Sequence, residues 1–263
     1  MLSDLSKIRR YELKYAINEN IAAKIRDYLK GYFALDKHVP PGKDGYIVNN
    51  LYFDTPDLRF YYDTKHRKLT RYKLRARFYG EKAIDYIWPE IKYRCSSVIW
   101  KTRYRIPVEQ WPELFYPQKS EQVKPVIKNC PDSFEELIHC YGALPILHVR
   151  YFREPYVTEL EEYGRVTFDR RLSYRMAHGS INLSQNDEDM LFYDDPVTSK
   201  HFESPVLLEI KVEMLVPFWA IDIIRKFNLV QRPFSKYCYG IDNNIGYLPD
   251  VRSSIFNMEF RSI

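Results

Sequence analysis

The stretch TRYKLRARFYG, residues 70–80, restricts the possible folds more than any other part of the chain. Read as a strand, with side chains alternating between two faces, it points Arg71, Lys73, Arg75 and Arg77 one way. Tyr72, Leu74, Ala76 and Phe78 point the other way. Neighbouring cations in such a row stand about 7 Å apart, two residues of rise at a time. A solvated sheet face usually mixes signs to relieve that repulsion, so a row of this kind needs a reason.

The pattern recurs. Arg10, Glu12 and Lys14 oppose Tyr11, Leu13 and Tyr15. Glu90, Lys92 and Arg94 alternate with Pro89, Ile91 and Tyr93, and Lys101, Arg103 and Arg105 with Trp100, Tyr104 and Ile106. His148, Arg150 and Phe152 share a face opposite Val149 and Tyr151. Arg165, Thr167, Asp169 and Arg171 oppose Val166 and Phe168; Glu209, Lys211 and Glu213 oppose Leu208, Ile210 and Val212. Two architectures fit such strands. An open sheet packs its apolar face on helices and shows its charges to water. A closed sheet turns the ionisable face inward and lines a wet tunnel. The dominance of Arg and Lys with interspersed Glu, repeated over so many strands, favours closure.

The remaining segments supply helices. Asn18 is a helix cap, and Ile21, Ile25, Tyr28, Leu29 and Tyr32 follow at helical spacing, with a stop near Gly31. YIVNNLYFDT (46–55) reads as a strand that breaks at the turn DTPD. The Pro-rich middle reads as helical or irregular, with a capping box at Ser133 and Glu136. LPILHVRYFREPY, VTELEEY and GRVTFDRRLSYRM read as strands, the last two joined by a tight turn at Gly164. NLSQNDEDMLFYDDP reads as an acidic loop, PVLLEIKVEML (205–215) as a strand, and PFWAIDIIRKF as a helix opening at Pro217. Connections this short favour antiparallel pairing. With no shift in composition and no repeat, residues 1–263 read as one α+β domain, its core at about 8–247, built on a closed antiparallel barrel with flanking helices.

Composition removes several alternatives. The net charge is only +5, so a strong positive field has to come from arrangement. PGKDG (41–45) lacks the spacing of a P-loop, and 9 Gly leave little for phosphate-cradling loops. Cys95, Cys130, Cys140 and Cys238 form no C-x-x-C pair and read as reduced thiols. The N-terminal segment has no signal-peptide core, and no run approaches the ~20 apolar residues of a membrane span. The expectation is a cytoplasmic protein. Converging cations store repulsion that a polyanion relieves, and Arg forks and Lys point charges both suit phosphate oxygens. The interspersed Glu residues suit Mn²⁺ or Mg²⁺ bridging such oxygens. A linear polyphosphate moiety is the ligand class this pattern selects.

YELKY, LYFDT, KLRARFYG, PEIKY, LLEIKVE and PFSKYCYG, in this order, resemble the VTC domain (vacuolar transporter chaperone). That domain is the polyphosphate polymerase branch of the triphosphate tunnel metalloenzymes, or CYTH superfamily. The resemblance runs from about Arg10 to Gly240 and implies a barrel of about eight strands around a tunnel. It implies an ATP:polyphosphate phosphotransferase, dependent on Mn²⁺ or Mg²⁺, with ATP and inorganic polyphosphate as partners; the enclosed geometry disfavours duplex nucleic acid. Arg75, Arg77, Lys92, Lys101 and Glu209 carry the catalytic roles in this reading. Lys14, Arg150, Arg165, Lys211 and Lys236 bind substrate, and Glu209 holds the metal, with Glu90, Glu213 and Glu12 as further candidates.

Three positions depart from the pattern. Arg10 replaces the first Glu of the superfamily's E-x-E-x-K opening; a strand arginine aligns nearest His148, with Arg150 as its substitute; and a second lysine near FSK appears as Pro233 beside Arg232. A triphosphatase on the same fold and a non-catalytic module binding polyphosphate or RNA are the alternative functions.

Overall fold

A computed structural model describes residues 11–96, 98–115, 133–158, 164–183, 189–193, 206–213, 216–231 and 234–245. The alternating segments become strands: β1 (Tyr11–Ile17), β2 (Phe33–Leu35), β3 (Tyr46–Asp54), β4 (Thr70–Tyr79), β5 (Tyr86–Cys95), β6 (Val98–Arg103) and β7 (Ile106–Pro107). They continue with β8 (Leu144–Thr158), β9 (Gly164–Met176), β10 (Leu191–Phe192) and β11 (Val206–Val212). The helices are α1 (Glu19–Leu29), α2 (Arg59–Lys65), α3 (Phe134–Tyr141), α4 (Phe218–Lys226) and α5 (Lys236–Ile245).

The strands pair in the order β1-β11-β9-β8-β3-β4-β5-β6, with β10 on β9, β2 on β8 and β7 on β5. The pairs β1–β11, β11–β9, β3–β4, β4–β5 and β5–β6 are antiparallel. The class is therefore α+β with a large antiparallel sheet. The closed barrel expected from the sequence is not formed by strand pairing: β1 and β6 end the path, and no ladder joins them among the described residues. Alternation fixes which face a side chain takes; it carries no information on whether two edges bond.

The backbone groups into two compact units. One comprises Met1–Ile47, Tyr151–Leu172 and Phe192–Phe234; the other comprises Val48–Arg150, Ser173–Leu191 and Ser235–Ile263. In the first unit α1 starts where Asn18 accepts the Ile21 N–H at 2.9 Å, satisfying an amide that a helix start leaves orphaned. Ala22, Ile25 and Leu29 then face Val166, Phe168, Leu208, Ile210, Ala220 and Ile223 in one core. Burying such side chains contributes roughly 1.5–3 kcal/mol each.

The second unit packs Leu51, Phe53, Leu74, Ile87 and Ile91 against Phe60, Phe134 and Leu137. Ser133 and Glu136 form the capping box at the start of α3. The segment read as a turn after β3 continues into α2. Its N-cap, Leu58, is left-handed and has no side-chain cap, so buried Asp54 serves instead: it accepts from Thr55, Phe60 and Tyr61 N–H, each at 2.8 Å. Tyr237 in α5 donates to the same carboxylate at 2.6 Å. Burial pushes the Asp54 carboxyl up to about 6 against the pull of these donors.

Cys95, Cys140 and Cys238 are free; Cys130 lies outside the described residues, as do Arg10, Arg232, Pro233 and most of the segment VTELEEY. Among the described residues no helix is long and apolar enough to cross a membrane.

Candidate functional site

The register of β4, β5 and β6 sets the ionisable side chains in rows. Arg71 stands opposite Arg94, Lys73 opposite Lys92, Arg75 opposite Glu90, and Arg77 opposite Trp88. The next strand continues the rows, with Lys101 opposite Lys92 and Arg103 opposite Glu90. Four cations on β4, two on β5 and two on β6 thus share one face with a single carboxylate.

Glu90 is that carboxylate, and it is buried. Arg75 Nε donates to its Oε2 at 2.7 Å. Arg77, Lys101 and Arg103 place nitrogens 3.8, 3.5 and 3.5 Å from Oε1. Burial opposes ionisation, but Arg75, Arg77 and Lys101 together hold the carboxyl well below the usual range. Desolvation pushes the Lys101 ammonium down to about 8, with Glu90 pulling upward and Arg75, Arg77 and Arg103 reinforcing the fall. Half of the Lys101 side chain faces water, which tempers that shift. Arg77 is itself buried and fixed by Asn50 Oδ1 at 2.9 Å; Arg75 also donates to Tyr52 Oη at 3.3 Å. Lys73 donates to Ser235 Oγ at 3.1 Å, just ahead of α5, whose first residue is the half-buried Lys236.

A second cluster lies in the first unit. Lys14 stands opposite Glu209, and Glu12 opposite Lys211. Lys14 Nζ is 2.8 Å from Glu12 and 3.8 Å from Glu209, and it donates to the Phe234 carbonyl at 3.4 Å. Lys211 and Arg153 approach Glu209 at 3.3 and 3.5 Å. Burial again opposes ionisation of Glu209; Lys211, Lys14 and Arg153 hold it well below the usual carboxylate range. Burial also pushes the Lys211 ammonium down.

Arg153 is the residue the sequence reading missed. Its guanidinium binds Asp169 in a two-pronged pair at 2.7 and 2.8 Å. The strand reading placed Arg150 and His148 on the ionisable face. In the structure Arg150 pairs with Glu81, and His148 is buried against Asn49 at 3.1 Å and the Phe78 ring. β8 passes close to Gly45, where a Cβ would collide with the Arg153 carbonyl. Arg165 lies beside this cluster by register, opposite Lys211. Its guanidinium is held by Asp36 at 2.9 Å and donates to Tyr46 Oη at 3.3 Å. Glu213 lies one residue past β11 and is half-buried.

Among the described residues no group of three or more His, Cys, Asp or Glu side chains is placed to hold a metal ion. Glu209 and Glu12 nevertheless fit a hard divalent cation. Both approach Lys14, Glu12 at 2.8 Å and Glu209 at 3.8 Å, Glu209 is ionised though buried, and Mg²⁺-like ions take one or two carboxylates and complete their shell with phosphate and water. Glu90 does not share that fit. Four cations surround it, so it serves as their counter-ion and a further cation there would be repelled.

No curated protein matches the chain. Among solved structures it is similar to a candidate adenylate cyclase from Bacillus halodurans, at 13% identity and TM-score 0.47, covering 87% of this chain and 94% of that one. A candidate adenylyl cyclase from Hippeastrum, described as having a dominant triphosphatase activity, is 14% identical at TM-score 0.43, with coverages of 92% and 98%. A third, from Vibrio parahaemolyticus, is 11% identical at TM-score 0.44, with coverages of 89% and 98%. These TM-scores are too low for the likeness to bear on mechanism. The family comparison is of a different strength: the VTC-domain profile matches residues 9–244, nearly the whole chain. The chain belongs to the VTC-domain family.

Proposed function

We propose that this protein is a polyphosphate polymerase, moving the γ-phosphoryl group of ATP onto a growing inorganic polyphosphate chain. The observation that carries this reading is the β4–β6 lattice, where eight cations (four, two and two) share one face with a single buried, ionised carboxylate. Such a surface is complementary to a long run of phosphates, and family membership supports a polyphosphate- or triphosphate-related activity.

In the reaction a terminal oxygen of the chain attacks the γ-phosphorus in line. The bond from that phosphorus to the β,γ-bridging oxygen breaks, its electron pair leaves with ADP, and the chain is one phosphate longer. A phosphate nucleophile is already ionised, so no general base is required, and positioning with charge neutralisation does most of the work. Arg75, Arg77, Lys92 and Lys101 neutralise phosphate oxygens, with Glu90 holding Arg75 and Arg77 in place before substrate arrives. Lys14, Arg153, Arg165, Lys211 and Lys236 supply further charge to the polyanion. A divalent ion, Mn²⁺ or Mg²⁺, held by Glu209 and Glu12 would add Lewis-acid neutralisation of phosphate oxygens. Residues 1–263 act as one domain in the cytoplasm, with the polyanion enclosed in a tunnel of the kind the family resemblance implies.

Incubation with ATP and Mn²⁺ tests it. A ladder of long polyphosphate with stoichiometric ADP is the expected product. Orthophosphate and ADP without polymer would make the protein a triphosphatase and overturn the polymerase reading.

A further inference from the structure

The cation rows end in aromatic rings. On β4 the residue two past Arg77 on the same face is Tyr79, and on β5 the residues two and four before Glu90 are Trp88 and Tyr86. Tyr79 meets Trp88 edge-on at 5.2 Å, and Tyr86 tilts against Trp88 at 6.3 Å. None of the three belongs to either hydrophobic core. Tyr86 is exposed and Trp88 half-buried.

Two guanidiniums join the rings to the charged rows. Arg103 lies over the Trp88 ring at 5.2 Å, donates to Tyr79 Oη at 3.3 Å, and keeps Nε 3.5 Å from Glu90. Arg105 covers Tyr86 at 4.9 Å. Polyphosphate has no apolar surface and gains nothing from such a group. A nucleobase has a π-face and stacks on aromatic rings and guanidinium planes alike. From Trp88 to Lys92 is four residues, about 13 Å of strand, enough to seat a base at one end and its phosphates along the rows.

We propose that Tyr79, Trp88 and Tyr86, with Arg103 and Arg105, form a platform for the purine base of a nucleoside triphosphate whose phosphates lie on the adjacent cation rows. This rests on the polymerase reading and gives its substrate a direction. The nucleoside end lies at Trp88, and the growing chain lies toward Arg71 and Arg94. Stacking tolerates different bases, so ATP and GTP should bind alike.

Calorimetric titration with ATP and with inorganic tripolyphosphate, at one Mg²⁺ concentration, separates base from phosphate. Trp88→Ala should weaken ATP about tenfold, the loss of one stacked base, and leave tripolyphosphate within twofold. Tyr86→Ala, at an exposed ring whose loss leaves both cores intact, should act in the same direction by a smaller factor. Equal weakening of both ligands, or no change in either, overturns the platform while leaving the phosphate site standing. If the unsubstituted protein binds neither ligand and makes no polymer, the polymerase reading falls, and the platform with it.

Discussion

The Glu90 and Glu209 clusters use the same residue types to different ends. Around Glu90 stand Arg75, Arg77, Lys101 and Arg103, so four positive charges less one leave a surplus of three. Around Glu209, Lys14, Lys211 and Arg153 are matched by Glu12, Glu209 and Asp169, so three less three leave none. A surplus calls for an anion. A balanced set with two carboxylates has room for a cation once phosphate arrives to compensate it. Buried glutamate alone therefore does not mark a metal site; the count of its neighbours does.

Glu209→Gln should separate the two most sharply. Polymer synthesis is expected to fall on the order of 10³-fold, as when a transition-state charge loses its support. Without metal, tripolyphosphate binding should hold or tighten, because the balanced cluster then carries one net positive charge. Weakened metal-free binding would break the contrast. Glu90→Gln should act on the fold instead. Leaving its cations uncompensated is expected to cost about 3 kcal/mol, near the low end for a broken buried pair because Lys101 and Arg103 are partly open to water. Tripolyphosphate should restore more melting temperature to Glu90→Gln than to the unsubstituted protein. Equal gains would mean that Glu90 is not standing in for phosphate.

The smallest expected effect is a pH limb. The Lys101 ammonium, pushed down to about 8, loses its charge as pH rises through that value, so synthesis should decline a few-fold above it. Stability moves the other way, since the unfolded lysine binds more protons between about 8 and its ordinary value near 10.4. In Lys101→Arg the decline should vanish, because a guanidinium stays charged. A limb that persists there belongs to another group.

Where apolar and ionisable residues alternate strictly, as along β1, β4, β5 and β11, the sequence was enough to assign strand and face. Asn18 and the Ser133–Glu136 box were equally legible, because a cap is a local contact. α2 was not. Its amides are capped by Asp54, which opens the apparent turn and is committed to that role by burial and by Tyr237, far along the chain. The face of β8 was hidden for another reason. Glu154 is buried against Arg26 at 2.7 Å and Arg170 at 2.6 Å, while its neighbour Arg153 faces Asp169, so both faces of that strand are ionisable and period two cannot choose between them. Membership of the Glu90 cluster needed register as well, since only the ladder shows that Arg75 and Arg103 flank the same residue.

Lys73, Lys92 and Lys101 stand abreast on three neighbouring strands, about 4.8 Å apart, with Arg71 and Arg94 a step beyond. Identical groups at a regular pitch give a repeating polymer no single preferred seat. For the proposed polymer, each unit that advances would exchange one ionic partner for an equivalent one, so the landscape across the three strands is shallow even where total adhesion is large. Tenacious grip and easy sliding are then compatible, as the proposed polymer synthesis would require.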